Sequence, residues 1–316
     1  MKLRPPAALA AVCVIALCSM LLSCSDSDTN DTVSVDCATS TTVQYADYPG
    51  VDPNLTSLDV YTPPAEAGSC EDRPLVVWVH GGGWHEGDRS EYMDDKIALF
   101  NGAGFVFATV NYRLTDTTAI PVGPQYPVHN QDSADALAWL VTNAAKFGID
   151  PERIAVLGHS AGGGITAAIS TDEGFLGRNG LPLTTIRCAG SMDGEGYDVV
   201  AGATFPDDFV SGSYQAAFGT DPVVWAEASP VRHVTPDKGI PKFFIAARGG
   251  DWRMAQHTAF ITALQKAGVR TTVLDVNVLQ HADLTTIIGR PEDTIVTPAL
   301  MDFLGGCFAE FRGKKS

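Results

Sequence analysis

Positive charge is scarce in this chain of 316 residues. Lys and Arg number 21 against 37 Asp and Glu, for a net charge of −16. A surface this acidic repels nucleic acid, which excludes that class of partner. No Cys/His cluster has the spacing of a zinc site. No glycine-rich phosphate loop follows the first strand of the alternating pattern, which argues against nucleotide binding. No internal repeat is visible, and beyond the first two dozen residues no apolar run is long enough to span a bilayer. Neither a metal nor a cofactor is therefore expected. What is present suits one large globular domain with a real core: 45% of residues are hydrophobic and 18% charged.

The most informative stretch is Gly158-His159-Ser160-Ala161-Gly162. The apolar run Arg153–Leu157 before it reads as a buried strand, and the small, apolar run Gly163–Ile169 after it as a buried helix. A Gly-x-Ser-x-Gly at such a junction is a nucleophile elbow. Its sharp turn holds the serine in a strained backbone conformation, and the two glycines let helix and strand pass closely. Ser160 is thereby presented at a helix N-terminus, where developing negative charge is favoured. By the same geometry His159 points away from the serine and is expected to form a pocket wall.

A serine hydroxyl needs a base, and the base an orienting acid. In this arrangement the chain order is Ser, acid, His. Asp251 follows the strand-like Ile240–Ala247 and is the only carboxylate between Asp237 and Asp275, so it is the expected acid; its alternative role is the N-cap of a helix over Met254–Lys266. Asp193 and Glu195, after the preceding strand, are the reserve acids. His281 lies in the loop after the strand Thr271–Val278, where a base must sit. His257 falls within the helical pattern and is expected to face solvent or pack locally. The third requirement is an oxyanion hole. The strand Leu75–Val79 ends in His80-Gly81-Gly82-Gly83-Trp84, and three successive glycines make sense where backbone N–H groups must approach a ligand closely. Gly82 and Gly83 are the expected donors from this loop and Ala161 from the elbow, with His80 holding the loop.

With Asn111-Tyr112-Arg113-Leu114 and the run Phe147–Ile154 leading into the elbow strand, these motifs give the chain its likeness to known proteins. Over roughly residues 40 to 310 it resembles the α/β-hydrolase superfamily, in the esterase/lipase branch with a His-Gly-Gly-Gly loop, which includes hormone-sensitive-lipase-like and carboxylesterase-like members. The resemblance implies a mostly parallel sheet with helices on both faces. It also implies Ser160 as nucleophile, His281 as base, Asp251 as acid, and Gly82, Gly83 and Ala161 as oxyanion donors. Many relatives have Asp-Pro at the acid, whereas here Trp252 and Arg253 follow Asp251.

Lys2 and Arg4 followed by an apolar run from Ala7 to Leu22 read as a secretory signal. Leu21-Leu22-Ser23-Cys24 resembles a bacterial lipobox, with residues 1–23 removed and Cys24 lipid-modified; losing Lys2 and Arg4 takes the net charge to −18. Residues 24–38 then form a polar tether, and the product is a cell-envelope lipoprotein whose membrane contact is the lipid alone. The alternative is a soluble secreted protein. In an oxidising compartment Cys37, Cys70, Cys188 and Cys307 can pair in three ways. Cys37 and Cys70 lie just before the first and third predicted strands, so the expected pairs are Cys37–Cys70 and Cys188–Cys307.

Short strands at Val43–Tyr48 and Ser57–Tyr61 precede the alternation of strand and helix that gives a parallel sheet. Further strands are expected over Gly104–Asn111 and Thr185–Ser191, with a helix over Asp132–Phe147. The domain spans 39–312. An insertion at about 194–235, rich in Phe205, Phe209, Tyr214, Phe218 and Trp225, is expected to cap the site, with Trp84, His159 and Trp252 as pocket residues. The reading is a serine carboxylester hydrolase for short-chain or small aryl esters. Its alternatives are a deacetylase or feruloyl-type esterase, an amidase or a peptidase on the same residues, and a non-catalytic binding protein on this fold.

Overall fold

In a computed structural model describing residues 1, 37–65 and 69–311, eight strands form one sheet in the order β1-β2-β4-β3-β5-β6-β7-β8. They are β1 (Ser40–Gln44), β2 (Ser57–Tyr61), β3 (Arg73–Val79), β4 (Val106–Val110), β5 (Ile149–His159), β6 (Cys188–Met192), β7 (Lys242–Ala247) and β8 (Thr271–Asp275). β1 pairs with β2, and β2 with β4, antiparallel; every pairing from β4 through β3 to β8 is parallel. Contacts divide the chain into residues 1–33 and 34–316, and all of these strands belong to the second unit. The expected signal segment and Cys24 lie outside the described residues.

The central strands are continuous apolar runs because both faces of the sheet are covered. Successive side chains alternate between two cores. On β3, Leu75, Val77 and Val79 join one core with Ile154, Val156, Phe243 and Ile245, whereas Val76 and Trp78 join the other with Phe107, Leu157 and Phe244. The helices are α1 (Asp94–Gly102), α2 (Val128–Thr142), α3 (Ala161–Thr171), α4 (Glu173–Gly177), α5 (Val199–Ala203), α6 (Asp208–Phe218), α7 (Pro222–Glu227), α8 (Asp251–Lys266), α9 (Asp283–Thr286) and α10 (Val296–Ala309). Residues of α2, α3 and α8 fill the first core, and residues of α1 and α10 the second.

Several boundaries differ from the sequence expectation for local reasons. β1 begins at Ser40, ahead of the apolar signal at Val43, because the β-branched run Thr41-Thr42-Val43 pairs with β2 as an edge strand. β8 stops at Asp275, whose carboxylate accepts the Asn277 N–H at 3.0 Å and turns the chain. Residues Leu183–Thr185 form a short 3-10 turn, which delays β6 to Cys188. α2 starts four residues before Asp132, since its first turn buries polar His129 and Asn130 instead of apolar residues. Both expected disulfides are present: Cys37–Cys70, with Cα atoms 5.6 Å apart, and Cys188–Cys307, at 6.3 Å.

Candidate active site

β5 ends at His159, and α3 begins at Ala161. Between them Ser160 has φ 56° and ψ −124°, the strained turn expected of an elbow. Close approach makes the turn possible: a Cβ on Gly158 would collide with the Gly162 carbonyl, and one on Gly162 with the carbonyls of Val79 and His80. The backbone of Ser160 is tied to the next strand. Its N–H donates to Met192 O at 3.1 Å, and its carbonyl accepts from Glu195 N–H at 3.0 Å.

Those bonds bring the turn after β6 beside the serine. Asp193 is fully buried there, with φ 44° and its N–H on Ala246 O at 2.8 Å. His281 stands between the two side chains. Its Nδ1 donates to Asp193 Oδ2 at 2.5 Å, and its Nε2 accepts from Ser160 Oγ at 2.9 Å. The carboxylate partner of His281 is therefore Asp193, one of the two reserve acids, and the expectation of Asp251 is corrected. Asp251 is exposed as the first residue of α8, where Gly250 is the N-cap and Asp251 makes no capping bond. The turn after β7 sends Arg248 inward instead, to Leu279 O at 2.9 Å and Asp193 Oδ2 at 3.2 Å. From α8, Arg253 lies 3.5 Å from Asp193 Oδ1 and pairs with Glu195.

His257 is a second correction. It is fully buried, and its Nε2 lies 3.1 Å from Asp193 Oδ1. Burial pushes the Asp193 carboxyl upward, but hydrogen bonds from His257 and His281 and the Arg253 charge outweigh it. They hold the group well below the usual carboxylate range. Periodicity placed His257 on a helix but could not say which face is buried. The i, i+4 spacing of Arg253 and His257 was the available signal that one face of α8 meets an anion.

The His281 loop is braced on both sides. His159 Nε2 donates to His281 O at 2.9 Å, and the two rings lie 4.6 Å apart; burial and the adjacent His281 push the His159 imidazole down to about 3. Buried Lys96 on α1 donates to Tyr92 O at 2.8 Å and to Thr285 O on α9, just beyond His281. Burial lowers its ammonium to about 8.

The glycine loop passes against the elbow, and a Cβ on Gly81 would lie 3.1 Å from Ser160 Cβ. Gly82 and Gly83 have φ of 105° and 58°, and the Gly82 carbonyl accepts from His85 and Glu86 N–H at 3.1 and 3.0 Å. His80 is buried and hydrogen-bonds the Gly81 carbonyl at 2.7 Å; its ring stacks on Tyr112 at 4.4 Å, and Tyr112 Oη donates to His80 O at 3.1 Å. Burial lowers the His80 imidazole to about 4, so it holds the loop as a neutral ring. Gly82, Gly83, His159, Ser160 and His281 line one cavity of about 840 Å³. Phe209 and Ser213 of α6 form part of its wall. Two expected pocket residues do not line it. Trp84 is buried edge-on against Tyr214 and Phe218, at 5.2 and 4.9 Å, and Trp252 packs on Phe205 at 4.7 Å. Arg253, Glu195, Glu86 and Glu91 give the wall a polar side.

The BD-FAE family model matches residues 58–179. A carboxylesterase of Mycobacterium tuberculosis, NlhH, is 41% identical over 111 residues, which is 35% of this chain and 32% of that protein. The match thus spans about a third of that relative's length. Esterase B from Lactobacillus Rhamnosis superposes with a TM-score of 0.68 at 19% identity, covering 88% of this chain and 89% of its own. A truncated carbohydrate esterase from gut microbiota gives 0.68 at 21%, covering 89% and 98%. At such identities these two likenesses establish the fold.

Proposed function

We propose, on the premise that this chain is an esterase/lipase-like α/β-hydrolase, that it hydrolyses carboxylic esters through an acyl-enzyme on Ser160. The observation that carries this reading is the unbroken hydrogen-bond chain Ser160–His281–Asp193 at the wall of a cavity. His281 Nε2 takes the Ser160 proton as Oγ attacks the ester carbonyl carbon. Asp193 fixes the imidazole with Nδ1–H toward itself and stabilises the imidazolium. The N–H groups of Gly82, Gly83 and Ala161 face the tetrahedral oxyanion, each worth about 3–4 kcal/mol in comparable sites. Collapse breaks the C–O bond, and His281 returns the proton to the leaving alcohol. Water, deprotonated by His281, then releases the acid and regenerates Ser160.

Short-chain or small aryl esters are the proposed substrates, since the cavity matches small ligands in volume. The carboxylates of Glu86, Glu91 and Glu195 on its wall favour a second reading, an ester whose alcohol part is rich in hydroxyls. A panel of p-nitrophenyl esters of rising acyl length, acetylated sugars and peptide amides, run beside Ser160→Ala, tests the reading. Ester turnover lost in a folded Ser160→Ala variant is expected, and substantial residual turnover would sink the assignment. We also propose export, which the two disulfides support, and a lipid on Cys24, which rests on the Leu21–Cys24 sequence alone. Lipid labelling that persists in Cys24→Ser would refute the anchor.

A further inference from the structure

We propose that His257 is a positioning residue that fixes the Asp193 carboxylate so that one oxygen is kept for His281. The two oxygens are divided between two imidazoles. Oδ1 faces His257 Nε2 at 3.1 Å, and Oδ2 faces His281 Nδ1 at 2.5 Å. Asp193 sits just beyond the end of β6 with its backbone in the left-handed region, and the hydrogen bonds at its two oxygens are what hold the carboxylate in one rotation. Other charged groups also face it. Arg248, at the end of β7, reaches Oδ2 at 3.2 Å and so shares the oxygen His281 uses. Arg253 stands 3.5 Å from Oδ1 and is paired with Glu195. Among these partners His257 alone is a fully buried side chain hydrogen-bonded to Oδ1.

The hydrogen on His257 is assigned by its surroundings. An ionised carboxylate only accepts, so Nε2 must carry the hydrogen. Nδ1 is buried with no hydrogen-bond partner among the described residues, so a hydrogen there would be lost from water without compensation. The ring is gripped on its other side: Tyr197 meets it edge-on at 5.4 Å and itself stacks on Phe260 at 4.6 Å. The i, i+4 placement of Arg253 and His257 makes α8 the support of an acid that belongs to β6. This inference rests on the reading of Ser160, His281 and Asp193 above.

The test compares His257→Leu, which removes the donor, with His257→Gln, whose amide reaches the same oxygen. His257→Leu should lower kcat about 10-fold or more with KM little changed, because the base loses its fixed orientation. It should also shift the downfield proton resonance of His281 Nδ1–H. His257→Gln should recover most of the loss. Equal losses in the two variants, or a His257→Leu kcat within about 2-fold of the parent, would overturn the proposal. The unsubstituted protein gives a readout independent of folding in the variants. Its imidazole ¹⁵N spectrum should show His257 as the Nε2–H tautomer, and an Nδ1–H tautomer would overturn the assignment. Fluorophosphonate labelling of Ser160 in the parent separates the two readings: an unlabelled serine is a failure of the ester-hydrolase reading, and the tautomer is measured without it.

Discussion

Asp193 and Asp251 are both aspartates just beyond the ends of neighbouring parallel strands, and burial separates them. Asp193 is at 0% exposure among His281, His257, Arg248 and Arg253, whereas Asp251 opens a helix in solvent. Removing the Asp193 charge while keeping its shape leaves His281 without its anion and frees the wrong tautomer. Asp193→Asn is therefore expected to lower kcat by about 10³–10⁴-fold, and Asp251→Asn by less than about 3-fold, both read on a p-nitrophenyl ester. The opposite ranking would restore Asp251 as the acid. Ser160, His281 and the glycine loop were legible because each is a local signal on a strand end. The carboxylate partner of His281 was not, because two successive strands are followed by carboxylates and only the inward or outward course of each turn distinguishes them.

Elements were legible where burial is complete and ambiguous where it is partial. β3, β4 and β7 read as strands because nearly every residue is apolar and buried. The edge strands β1 and β8 carry mixed faces, with burial patterns that leave their residues wholly or partly exposed, and their ends shift by three or four residues. The segment between β6 and β7 illustrates the limit of composition. Its aromatics suggested a cover over the site, yet Tyr214, Phe218 and Trp225 turn into the core, while Phe209 remains 86% exposed and lines the cavity. A helix of aromatic and small residues fixes its own period. It does not fix which neighbour its apolar face meets.

The molecule as a whole should be acid-labile for a reason found in its histidines. His80, His129 and His159 are buried, and burial first, with nearby positive charge second for His129, lowers them to about 4, 3 and 3. Below the ordinary histidine range near pH 6.5 the unfolded chain takes up protons that the folded one refuses. The stability they contribute is complete above about pH 6.5 and is lost as pH falls toward 3–4. Together they can cost up to about 4 kcal/mol per pH unit in that window, before protonation of Asp193 adds to the loss. Urea midpoints should fall steadily from pH 7 to pH 5; a flat profile would mean that these rings are accessible to protons in the folded state. The sequence by itself determined the alternation of strand and helix, the elbow, the glycine loop and the loop that carries His281, because each follows from short-range pattern and backbone sterics. Only the tertiary structure decided which carboxylate meets His281, the burial of His257 and the inward turn of Trp84. Each of these depends on which residues distant in the chain approach one another, and on whether a charge finds partners that offset its loss of water.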